Sequence, residues 1–150
     1  TAVNEEKAKS LLQEAANMGF AIAYSDIANY YYYGKLFEKN EQKASEYYRR
    51  LNTNDNCSCE TAYNAGVFYW HGLGDIEIDY QNAIKWFEYA VDNYNDWGSK
   101  VALAKMHYDG TGYQKDQNLG IKMMLEVANN KTDNWAADKA HKYLEIWKNN

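Results

Sequence analysis

Tyr63-Asn64-Ala65-Gly66-Val67-Phe68-Tyr69-Trp70-His71-Gly72-Leu73-Gly74 carries the pattern on which the fold turns. Gly72 has counterparts at Gly34 and Gly110, a fixed spacing of 38 residues (34 to 72 to 110), and Gly72-Leu73-Gly74 returns as Gly110-Thr111-Gly112. Three residues before each glycine stand Tyr31, Tyr69 and His107, and six before stand Ala28, Gly66 and Ala104. Both offsets fall on one face of a helix, and small residues at the second let a neighbouring helix approach closely. A period of this length marks a chain built from repeated supersecondary units.

Downstream of each glycine a second helix announces itself. Asn40, Asp79 and Asp116 occupy N-cap positions, with Ala44, Ala83 and Gly120 four residues on, and Asn4 with Ala8 makes the same step near the start. The pattern continues through Leu11, Tyr47, Trp86 and Met123, then Leu12, Tyr48, Phe87 and Met124, then Ala15, Leu51, Ala90 and Val127. Apolar groups at these offsets form one stripe of an amphipathic helix that has to be buried against neighbours. The spacing predicts helices over 4–17, 20–33, 41–52, 60–71, 80–94, 98–109, 117–130 and 135–148, with no strand. Absence of proline suits long helices, and the glycines fall where a chain leaving a helix needs positive φ. At 150 residues the prior is one domain, with units at about 20–56, 57–95 and 96–130 and partial units at 1–19 and 131–150.

The block from Tyr63 to Gly74, followed by Asp79, Asn82-Ala83, Trp86 and Ala90, resembles the SEL-one-like repeat family, relatives of tetratricopeptide arrays with a longer unit. The resemblance is sharpest over Thr61 to Asn95 and good over Gly98 to Asn129. It departs at Ala21 to Asn52, where Lys35-Leu36 stands in place of the second turn glycine. A 34-residue tetratricopeptide period is too short for this spacing. The resemblance implies an all-α fold, a right-handed α–α superhelix or solenoid, that binds a partner protein on a concave face made mainly by the first helix of each unit. It also implies, in bacteria, either an adaptor or an immunity-type inhibitor that plugs a secreted toxin.

Residues of the first helices that packing does not consume are the expected contacts: Asp26, Asn29 and Tyr33, then Asn64, Val67 and His71, then Lys105 and Asp109, flanked by Tyr32, Trp70 and Tyr108. Rings supply contact area, while amides adapt their hydrogen bonds. The run Tyr30-Tyr31-Tyr32-Tyr33 points in four directions, so Tyr30 and Tyr31 are expected in the core and Tyr32 and Tyr33 outside. Exposed apolar groups on the terminal units, Trp135 and Trp147, would let two copies stack weakly end to end; the alternative is a monomer in which they cap the core.

The net charge of −5, without a basic patch, argues against nucleic acid as partner and suits a basic protein, whose encounter it would speed. No apolar run approaches the roughly 20 residues that span a bilayer, and no charged-then-apolar leader stands at Thr1, so membrane insertion is not expected. Periplasmic or exported and cytoplasmic locations both fit.

Catalytic signatures are absent: there is no Gly-x-Ser-x-Gly, Ser-x-x-Lys, phosphate loop or His-Glu-x-x-His, and no cofactor is expected. Asp75, Glu77 and Asp79 alternate like a calcium loop, but Tyr80 and Trp86 stand where its glycine and bidentate glutamate belong, which leaves Asp79 as an N-cap. Cys57 and Cys59 lack a second pair at zinc spacing and read as incidental thiols or a local bridge. The alternative function, an exported peptidoglycan-fragment-binding or β-lactamase-like protein, belongs to relatives with paired cysteines in every repeat, which this sequence lacks.

Overall fold

The structure, a computed structural model, describes residues 2–149. Among them are eight helices and no strand: α1 (Ala2–Asn17), α2 (Ala21–Tyr33), α3 (Glu41–Tyr48), α4 (Cys59–His71), α5 (Tyr80–Tyr94), α6 (Trp97–Asp109), α7 (Gln117–Ala128) and α8 (Asn134–Lys148). They fall into two compact units, Thr1–Ala83 and Ile84–Asn150.

The turn after each first helix is built the same way three times. Gly34, Gly72 and Gly110 take the left-handed conformation, and their N–H groups donate to the carbonyls of Tyr30, Phe68 and Met106, each at 2.9 Å. The N–H of the next residue reaches the same carbonyl in every copy, so one exposed helix end is closed by two donors. The chain then comes back: Asn40, Asp79 and Asp116 donate their N–H to the carbonyls of Tyr31, Tyr69 and His107, again at 2.9 Å each. Their side chains accept from Lys43, Asn82 and Leu119 N–H and start the second helix. Loss of such a cap costs about 1 kcal/mol. Asp116→Ala should therefore lower stability in urea by about 1 kcal/mol, and an unchanged midpoint would show that the cap is dispensable.

In the first unit α2 packs on α3, α1 and α4, around Ala16, Ala23 and Ile27, with Tyr31, Phe37 and Tyr47 closing one side. In the second, α6 packs on α7 and α8 around Ala104, Met124, Val127, Ala140 and Trp147. Ala28, Gly66 and Ala104 are fully or nearly fully buried, as their spacing predicts. At the α6–α7 crossing a Cβ on Gly120 would lie 2.8 Å from the Ala104 carbonyl oxygen, so the backbones meet with no room for a side chain.

Two expectations need correction. α1 runs from Ala2, so Asn4 lies inside the helix and is not its cap. α3 stops at Tyr48 instead of Asn52, because Arg50 and Leu51 donate to carbonyls only three residues back and tighten the chain out of the α-helix; Leu51 is nonetheless buried. Trp147 is buried with its ring stacked on Tyr108 at 3.8 Å, whereas Trp135 is exposed.

Candidate functional site

Each first helix ends in a last turn that meets solvent. Tyr33 and His71 in the first unit and Asp109 in the second, each immediately before its glycine, are all exposed; Tyr32, Trp70 and Tyr108, one residue earlier, are half-buried. Further back along the same helices burial takes over, and the expected surface contracts accordingly.

Asn29 and Asn64 do not face outward, which corrects the expectation that they meet a partner. Both are buried and tie α2, α3 and α4 together. The Tyr48 hydroxyl donates to Asn29 Oδ1 at 2.7 Å, Asn64 Nδ2 donates to the same oxygen at 3.1 Å, and Asn29 Nδ2 donates to Thr61 Oγ1 at 3.0 Å. Thr61 Oγ1 lies 2.9 Å from Ser58 Oγ, the α4 cap, which also accepts the Thr61 N–H. At the outer end the Tyr33 hydroxyl donates to Asn64 Oδ1 at 3.2 Å and accepts from Asn64 Nδ2 at 3.0 Å, so the buried chain emerges at an exposed ring. Burial pushes the Tyr48 hydroxyl far above its ordinary range and the Tyr33 hydroxyl upward, which keeps both protonated as donors. Buried amides paired in this way fix one alignment of neighbouring helices, because any slip leaves donors without acceptors.

What stays accessible in the first unit is a set of rings and cations. The Tyr32 and Tyr33 rings are 4.9 Å apart, and Tyr32 meets Phe68 of α4 edge-on at 5.2 Å. Lys35 Nζ lies 5.1 Å from the Tyr33 ring centre and Lys39 Nζ lies 5.9 Å from that of Tyr32. Neither lysine was expected from the sequence; their position in the turn after a tyrosine run is the signal that points to them. In α4, Trp70 stacks on His71 at 4.8 Å, and Val67 is half-buried. Asp26, near the middle of α2, is half-buried, and desolvation raises its carboxyl above the usual carboxylate range.

The second unit offers less. Lys105 Nζ pairs with the Asp109 carboxylate one turn on and lies 5.9 Å from the Tyr143 ring, while Tyr108 has one face covered by Trp147. These groups are largely spoken for within the unit.

Among the described residues no three His, Cys, Asp or Glu side chains gather as metal ligands would. Asp79 spends both carboxylate oxygens on Asn82, its N–H at 3.0 Å and its Nδ2 at 2.6 Å, as a cap does. Cys57 is buried 3.7 Å from Ser25 Oγ and burial raises its thiol; Cys59 opens α4. No helix among the described residues is long and apolar enough to cross a membrane.

Comparison with known proteins agrees with this architecture. The Sel1 repeat profile matches residues 1–20, 21–55, 59–95 and 99–130. No curated protein matches the chain in sequence. Among solved structures, the crystal structure of a Sel1 repeat protein from Oxalobacter formigenes superposes with a TM-score of 0.72 and 24% identity, covering 94% of this chain and 54% of that one. A protective antigen present in uropathogenic Escherichia coli strains, displaying an SLR fold, superposes with a TM-score of 0.67 and 18% identity, covering 88% of this chain and 27% of that one. The chain thus spans about half of the first protein and about a quarter of the second. With four profile matches laid end to end along most of its length, and each turn closed by the same hydrogen bonds, the chain belongs to the Sel1 repeat family.

Proposed function

We propose that this chain binds a partner protein through the last turns of α2 and α4, with Tyr32, Tyr33, Trp70 and His71 as its anchors. Sel1 repeats generally mediate protein–protein interaction, and Sel1 repeat proteins are typically non-catalytic scaffolds. The observation that carries the surface is Tyr33: a large ring 43% exposed at the end of a helix, held in place by a hydrogen bond from buried Asn64. Rings fixed in this way lose little entropy on binding, and such residues supply most of the energy at interfaces.

Two finer readings follow from the same surface. A dedicated inhibitor of a secreted toxin should hold its target at nanomolar affinity or tighter, while an adaptor operates near micromolar. The acidic balance of the whole chain favours the inhibitor, since it speeds encounter with a basic target.

The test begins with co-purification from the native source and mass spectrometry, followed by titration of the recovered protein. Tyr33→Ala and Trp70→Ala should each weaken binding by about 2 kcal/mol, roughly 30-fold, with helicity unchanged by circular dichroism. Leu125→Ala, at an exposed site in the second unit, should leave affinity as it was. Equal affinity in all three variants would remove the two rings from the site.

A further inference from the structure

We propose that this chain associates with itself head to tail, α8 of one copy seating against α1 and α2 of the next in the register that the repeat uses internally. Counting each first helix from its cap, at Phe20, Ser58, Asp96 and Asp133, puts equivalent residues at equal distances along α2, α4, α6 and α8. At the α2–α4 junction the ninth residue after one cap meets the sixth after the next: Asn64 Nδ2 donates to Asn29 Oδ1 at 3.1 Å. Among the described residues α2 has no first helix before it and α8 has none after it, so one place of each kind stays open. The open ninth place, on α8, is Lys142, and the open sixth place, on α2, is Asp26.

Neither charge is matched within the chain. Lys142 and Asp26 form no ion pair with a described residue, and Asp138, one turn before Lys142, does not reach it. The second unit shows how a lysine at the ninth place is otherwise satisfied: Lys105 in α6 takes the Asp109 carboxylate one turn on, but Ile146 holds that place in α8. In the register of the α2–α4 junction, Lys142 of one copy meets Asp26 of the next. Apolar surface is open around the same contact. Ala44 and Tyr48 in α3, like Gly120 and Met124 in α7, are buried, whereas their counterparts in α1, Ala8 and Leu12, are only half-buried and Leu11 is 55% exposed. On α8, Trp135 and Ile146 stand open beside Lys142, each 55% exposed. One residue works against close seating. His141 occupies the eighth place, where Ala28, Gly66 and Ala104 let a second helix approach, so the association is weak.

The partner-binding reading is independent of this one, because its anchors are not among these residues and self-association is measured without a partner. Sedimentation of the intact chain from micromolar to millimolar concentration should show an average mass that rises past that of a dimer, since two unlike faces leave one of each free. Asp26→Lys alone and Lys142→Asp alone place like charges at the contact and should each weaken association about tenfold. Lys142 is exposed, so the urea midpoint of its variant should stay put. Mixed in equal amounts, the two variants regain opposite charges at the contacts between them, and the mixture should associate as the unaltered chain does. His141→Ala should tighten association. Four results would overturn the proposal: a mass that stays at the monomer, a mass that levels off at the dimer, a mixture no tighter than either variant alone, or His141→Ala without effect.

Discussion

Gly74→Ala should destabilise the protein by at least about 3 kcal/mol in urea denaturation, the largest effect expected of any single methyl group added to it. Two costs combine. Gly74 has a φ of +60°, which an L side chain resists by roughly 1–2 kcal/mol. Its Cβ would also fall 2.5 Å from the Glu41 carbonyl oxygen and 2.7 Å from Ser45 Cβ, and neither atom is the end of a flexible chain. Relief would require lifting the turn off α3, which would break the bond from the Asp75 N–H to Ser45 Oγ at 3.0 Å. Gly19→Ala is the control: its φ is +86° but nothing stands within 4 Å of the new carbon. That variant should lose only about 1 kcal/mol, and equal losses in the two would show that backbone strain alone, not the docking of the turn, makes Gly74 necessary.

Asn29→Ala should cost about 3 kcal/mol, out of proportion to the few atoms removed. The substitution strands the Tyr48 hydroxyl and one Asn64 N–H without their acceptor, and takes from Thr61 Oγ1 the Asn29 N–H it accepts, all within a buried junction of three helices. Tyr48→Phe removes a single donor and should cost about 1 kcal/mol. Since the two residues share one hydrogen bond, the double variant should lose clearly less than the sum of the single losses. Additive losses would mean that the junction is held by packing and that the amides are incidental.

The repeat was legible because its signals are local. A glycine at positive φ, a cap residue six or seven positions later and small residues at the helix crossing each answer a requirement met within a single hairpin, and all three recur at readable spacing. The first turn shows the same logic from the other side. Leu36 stands where the second turn glycine would be, and among the described residues only Asn95 is a non-glycine with positive φ, so that turn follows a conformation leucine tolerates.

The surface proposed for binding was only partly legible, because burial in the structure removes some of the residues expected on it. Within α2 alone Asn29 looks like an outward polar residue, since its periodicity sets it apart from the Tyr31 stripe. Its burial comes from α4, some 30 residues on, which brings Thr61 and Asn64 against it. A helical wheel drawn for one hairpin holds no trace of the next. The lysines over Tyr32 and Tyr33 escaped notice for a related reason: their reach depends on how the turn folds back, and side chains in a turn have no period to read. Trp147 takes the second of the two readings open to it, capping the core, and the sequence leaves the choice open because an apolar residue in a last helix reads the same whether its face is covered or bare.

Hydroxyl-radical footprinting of the chain with and without its recovered partner tests the central claim most directly. Oxidation of Tyr33 and Trp70 should fall several-fold on binding, while exposed Trp135 and Tyr80 should oxidise as before. Protection at Trp135 or Tyr80 with Tyr33 and Trp70 unchanged would contradict it.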